Sequence, residues 1–134
     1  MKKTILAFVL LASASSAWAE VQIRELLVRK KGADVNVRVN IENPGGPAVR
    51  KPTITLYVRP NSSAAWQQVK VWNNIAKIGV NEKVSRDFFE ENNAELRAIA
   101  ENPAWEARAV LRVKGWNREV TKVSVYHDSE SGNQ

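Results

Sequence analysis

Asp34-Val-Asn-Val-Arg-Val-Asn-Ile-Glu42 runs into Asn43-Pro-Gly-Gly-Pro47, and the chain resumes from Val49 to Arg59. Val35, Val37, Val39 and Ile41 alternate with Asn36, Arg38 and Asn40, which is the period of a strand with one buried face. Proline cannot donate to a ladder and glycine tolerates positive φ, so the two prolines and two glycines mark a turn between strands. Ile54, Leu56 and Val58 then alternate with Thr53, Thr55 and Tyr57. The stretch reads as a hairpin of two half-buried strands, and the fold class follows from it.

Outward from this pair, the chain keeps the same grammar. Val21 and Ile23 point one way and Leu26 and Val28 the other, so a bulge near Glu25 is expected, of the kind that lets a strand pass between sheets. Trp66 to Trp72, Ile75 to Val80 and Lys83 to Phe89 read as further short strands, the second of them weak. Trp105 to Lys114 and Arg118 to His127 complete the series. In the first of these, Trp105, Ala107, Ala109, Leu111 and Val113 face inward; in the second, Val123 and Val125 do. Between Asn92 and Ala100 the period changes. Leu96, Ile99 and Ala100 share a helical face, Asn92 and Glu95 suit a capping box, and Pro103 stops the helix.

The expected fold is all-β. It is an immunoglobulin-like antiparallel β-sandwich of about seven strands, with one short helix before the penultimate strand. A small barrel is the competing architecture. Residues 1–19 read as a signal peptide: Lys2 and Lys3, then the apolar run Ile5 to Ala12, then Ala17-Trp-Ala19 at the cleavage position. The apolar run is too short to span a bilayer. The domain then occupies residues 20–128, residues 129–134 form a disordered tail, and the location is periplasmic or secreted. With Lys2 and Lys3 removed, 18 basic residues face 14 acidic ones, a net +4. That surplus serves solubility first.

Strands Val35 to Ile41 and Pro52 to Val58, with Asn43-Pro-Gly-Gly46 between them, resemble the opening of bacterial immunoglobulin-like modules of the CARDB type. The last two strands, Trp105 to Val113 and Val120 to Tyr126, are similar to the same layout. The resemblance implies a non-catalytic role in adhesion or ligand binding at a cell surface. It carries over no functional residue. The inserted helix and the single-domain length depart from that pattern.

Chemistry finds little to work with. There is no cysteine, His127 is the sole imidazole, and no Gly-x-Ser-x-Gly motif occurs. The expectation is therefore no enzyme, no metal and no cofactor. Among the aromatics, Trp66 and Trp72 fall on one face of an ideal strand with Gln68 and Lys70, and Tyr57 lies on the outer face of the preceding strand. Such a row suits a partner chain, or sugar rings as in a carbohydrate-binding module. The competing reading is that a bulge or a covering loop turns a ring inward. Arg108, Arg112 and Lys114 form a second candidate, a basic face that Arg118, Lys122 and Arg38 would flank. Ordinary solvated strand faces, with Glu106 and Glu119 interspersed, are the alternative. The expected partner is an envelope protein or polysaccharide rather than nucleic acid, and no integral membrane segment remains after cleavage.

Overall fold

A computed structural model describes residues 20–127. The expected leader and the 129–134 tail lie outside the described residues. Among the described residues, nine strands and one helix follow in order: β1 (Gln22–Lys31), β2 (Asp34–Glu42), β3 (Val49–Arg50), β4 (Pro52–Arg59), β5 (Gln67–Trp72), β6 (Lys77–Ile78), β7 (Lys83–Phe89), α1 (Ala94–Ala100), β8 (Glu106–Val113) and β9 (Glu119–Val125). Seven are long, and β3 and β6 are a two-residue ribbon. The sheets run β1-β2-β7 and β5-β4-β8-β9, with every pairing antiparallel. First, second and fifth long strands thus oppose third, fourth, sixth and seventh, which is the immunoglobulin-like arrangement.

The core lies where alternation puts it. Val35, Val37, Val39 and Ile41 of β2 face Ile54, Leu56 and Val58 of β4 and Ala107, Ala109 and Leu111 of β8 across the interior. Trp105 fills the space the two alanines leave and stacks on Tyr126 at 5.6 Å between centroids, with 15° between ring planes. Large beside small is how a sandwich interior reaches native packing density.

Three expectations need correction. Asp34 to Arg59 is not a hairpin. β2 pairs with β1 and β7, whereas β4 pairs with β5 and β8, so the Pro-Gly-Gly-Pro loop carries the chain from one sheet to the other. Asn43 anchors that crossover from a buried position. Its Nδ2 donates to Pro47 O at 3.0 Å and its Oδ1 accepts from Gly46 N at 3.0 Å, while its backbone bonds to Glu82 and Asn81. Next, β1 does bulge, at Arg24, where the register slips between Ile23↔Ile41 and Glu25↔Asn40, yet the strand stays on β2 throughout. Finally, Val123 and Val125 point outward, at 47% and 37% exposure. The register Ala107↔Ser124, Ala109↔Lys122 and Leu111↔Val120 turns Val120, Lys122 and Ser124 to the inner side instead.

The helix begins one cap later than expected. Asn93 is the N-cap, its side chain accepting from Leu96 N at 3.0 Å, and Leu96, Ile99 and Ala100 are buried. Arg97 ties the helix to β2 by a two-pronged bond to Asp34, with Nε to Oδ1 at 2.7 Å and a second nitrogen to Oδ2 at 3.3 Å. The Arg97 side chain holds the Asp34 carboxyl below its ordinary range, against the opposing effect of burial. Ionised Asp34 therefore stabilises the fold above about pH 3.9, the unfolded value, and that contribution fades as pH falls through the lower folded value. Asp34→Asn is expected to be less stable than the parent near neutral pH, with the difference closing in strong acid. Urea unfolding at both pH values checks this, and a gap that persists in acid would refute the charge-based account.

Candidate binding face

The outer surface of the four-stranded sheet is built by strand parity. Thr53, Thr55, Tyr57 and Arg59 of β4 lie beside Glu106, Arg108, Val110 and Arg112 of β8, in the register Tyr57↔Arg108 and Arg59↔Glu106. Next outward on β9 are Glu119, Thr121, Val123 and Val125, with Arg108↔Val123 and Glu106↔Val125. On the other side, β5 pairs Thr55↔Val71 and then, after a slip, Tyr57↔Gln68. Val69 is the extra residue in that slip, and it leans onto the core.

That one residue decides the tryptophans. Before the slip Trp72 pairs with Ile54, a core position, and Trp72 is buried at 8% exposure. Beyond it the parity reverses, so Trp66 joins Gln68 on the outer face. Trp72 is thereby removed from the expected surface row, and Lys70, opposite Leu56, goes with it to the inner parity as an exposed side chain at the sheet edge. Tyr57, Trp66 and Gln68 remain together.

One member of the basic face joins the aromatic row. The Arg108 guanidinium lies 4.5 Å from the Tyr57 ring centroid and 5.0 Å from that of Trp66, and Arg59 lies 3.9 Å over Trp66. Cations on aromatic faces at such distances contribute about 0.5–1 kcal/mol each where solvent reaches them. Arg59 is also held by Glu106 at 2.7 Å, and Arg112 by Glu119 at 2.7 Å. The Tyr57 hydroxyl first, and Glu119 second, raise the Arg112 pKa above its ordinary value. Arg108 is different. Among the described residues no carboxylate pairs with it, and its Nε is buried without a hydrogen-bond acceptor.

The expected basic stripe breaks up. Arg108 lies against the Tyr57 and Trp66 rings, Arg112 is paired with Glu119, and Lys114 sits in the turn after β8. Arg118 stacks on Trp116 at 4.1 Å and pairs with Glu20 at 2.6 Å. Arg38 belongs to the other sheet and bonds Asp87 at 2.7 Å.

Solved structures share this architecture at low identity. Wild-type OgpA from Akkermansia muciniphila is similar with a TM-score of 0.51 and 11% identity, over 81% of this chain and 27% of that one. The catalytically inactive OgpA in complex with an O-glycopeptide (glycodrosocin) substrate gives 0.50 and 12%, over 83% and 29%. The likeness is one of fold alone. The chain spans under a third of the OgpA chains it matches. No family model and no curated protein matches the sequence.

The two outer faces of the sandwich differ in kind. Over β1-β2-β7, polar side chains satisfy one another: Arg38 with Asp87, Asn40 with Glu25 at 2.7 Å, Ser85 with Asn40 at 2.5 Å, and Arg24 with Glu42. Over β5-β4-β8-β9, a Tyr–Arg–Trp cluster sits between Val71, at 38% exposure, and the two exposed valines of β9. Tyrosine, tryptophan and arginine amid small apolar side chains are the residues that carry binding energy at protein interfaces. Among the described residues, no group of three or more His, Asp or Glu side chains converges as a metal site would, and no helix is long and apolar enough to cross a membrane.

Proposed function

We propose that this chain is a non-catalytic binding module of the cell envelope, which docks another macromolecule on the outer face of the β5-β4-β8-β9 sheet. The supporting observation is the contrast between the two faces. Valines outward with Lys122 and Ser124 inward is the reverse of what a solvated strand chooses, and it places apolar area beside an arginine without an acidic partner. The CARDB-type resemblance is consistent with adhesion or ligand binding, and the leader read in the sequence fits export to the envelope.

The carbohydrate-binding alternative draws less support. A sugar ring needs a bare aromatic face, and guanidinium groups already lie over both Tyr57 and Trp66. Side-chain-specific crosslinking tests the reading. A photoreactive amino acid at Val123 or Val71 is expected to give a discrete, mass-identified adduct in intact cells, and one at Ser85 on the opposite sheet is expected to give none. Adducts of equal yield at Ser85, or none at the two valines, would remove the outer face from consideration.

A further inference from the structure

We infer that Arg108 is the recognition point for a carboxylate, supplied by an acidic side chain of a polypeptide flanked by aliphatic residues. This rests on the docking face just proposed and names the chemistry of its partner. Three arginines share that face, and two have their own acid: Arg59 has Glu106 and Arg112 has Glu119, each at 2.7 Å. Arg108 lies between them with none among the described residues. Arg108 is thus the arginine of this face whose charge is left for a partner to pair, and it is half-buried, so a carboxylate bonded to it is less screened than at a fully exposed side chain.

Geometry limits what can approach. The Arg108 Cζ lies 4.5 Å from the Tyr57 ring centroid and 5.0 Å from that of Trp66, and its Nε is buried, so an incoming group meets the terminal nitrogens of the guanidinium. The two terminal nitrogens of a guanidinium match a carboxylate by two parallel hydrogen bonds, and the ring contacts restrain the side chain before the ligand arrives. The surroundings favour a peptide over an acidic polysaccharide. Val71 lies on one side of the cluster and Val123, the register partner of Arg108, on the other. Aliphatic side chains bury against valines, while a hydroxylated sugar would lose hydrogen bonds to water there without recovering them.

Tripeptide titration gives the test. A capped valine–glutamate–valine peptide and its glutamine counterpart are added to the isotope-labelled protein, and the Nε–H resonances of Arg108 and Trp66 are followed. The glutamate peptide is expected to shift both signals saturably, with the glutamine peptide weaker by about ten-fold or more, the margin of a charge-assisted bond. Arg108→Gln should abolish the Trp66 shift, and Arg108→Lys, a point charge without the fork, should weaken binding while leaving the fold intact. Equal binding of the two peptides, or shifts confined to Trp116, would overturn the carboxylate assignment. So would a glucuronate trisaccharide binding more tightly than the glutamate peptide. If Val123 crosslinks its partner in cells while these titrations fail, the docking face stands and only the role of Arg108 is lost.

Discussion

Val37→Asp is expected to lose more than about 4 kcal/mol of folding stability and to melt far below the parent. Val37 has no solvent exposure, sits mid-strand between Val35 and Val39, and faces Val28 and Phe88 in the registers on either side. A carboxylate there has no cation or donor opposite it, so it must be buried unpaired or carried to solvent by breaking β2 from its neighbours. Either route costs more than about 4 kcal/mol, against the 5–15 kcal/mol that holds a domain of this size together. The chain has no cysteine, so no disulfide limits the unfolded ensemble. Val37→Ala keeps the interior apolar and should cost only about 2 kcal/mol. Circular dichroism melts of the two variants check this, and an Asp variant that melts like the parent would place Val37 outside the core.

The interior was legible because its strands are pure in phase. Val35 to Ile41, Ile54 to Val58 and Trp105 to Val113 each put every apolar residue but Val110 on one parity, and the structure buries that parity. The bulge in β1 was legible for the same reason, as a phase change between Ile23 and Leu26. Pairing was not. Asn43-Pro-Gly-Gly-Pro47 states that β2 ends, but a turn signal is the same whether the chain returns to its own sheet or crosses to the opposite one. The crossover depends on β7 and β8, which begin 36 and 59 residues after Pro47 (83 − 47 and 106 − 47) and take the places beside β2 and β4.

The proposed binding face was harder, and two strands show why. In β9 and the residue after it, Val120 and Tyr126 share one parity and Val123 and Val125 the other, so two apolar residues argue for each face. The tie is broken by the register with β8, where Leu111 takes Val120 and Arg108 takes Val123. In β5 the bulge at Val69 leaves no trace, because Gln67, Gln68 and Lys70 are polar on both parities. Arg108 and Tyr57 were each placed on an outer face, but only the pairing of β4 with β8 sets them side by side. Arg59 carried a usable signal that went unread: it lies on the parity of Tyr57, one short loop before Trp66.

Trp72→Ser and Trp66→Ser should therefore behave as opposites, although the residues lie six apart on one segment. Trp72 is enclosed opposite Ile54, and truncating a buried indole to a small polar side chain removes its transfer energy and leaves a cavity. A loss of about 3–5 kcal/mol is expected, seen as a lower urea midpoint with an unchanged slope. Trp66 is half-buried against Arg59 and Arg108, and its removal forfeits two partly screened cation–ring contacts, about 1–2 kcal/mol in total. For partner binding the order inverts. Trp66→Ser removes one of the two rings that Arg108 contacts and deletes an aromatic of the proposed face, so the Val123 crosslink should disappear from a protein that is still folded. Trp72→Ser, held below its lowered melting temperature, should keep that crosslink. Equal stability losses in the two variants would mean that Val69 does not bulge and both indoles share a face. Loss of the crosslink in the Trp72 variant alone would move the site to the β5 edge, away from the Tyr57–Arg108–Trp66 cluster.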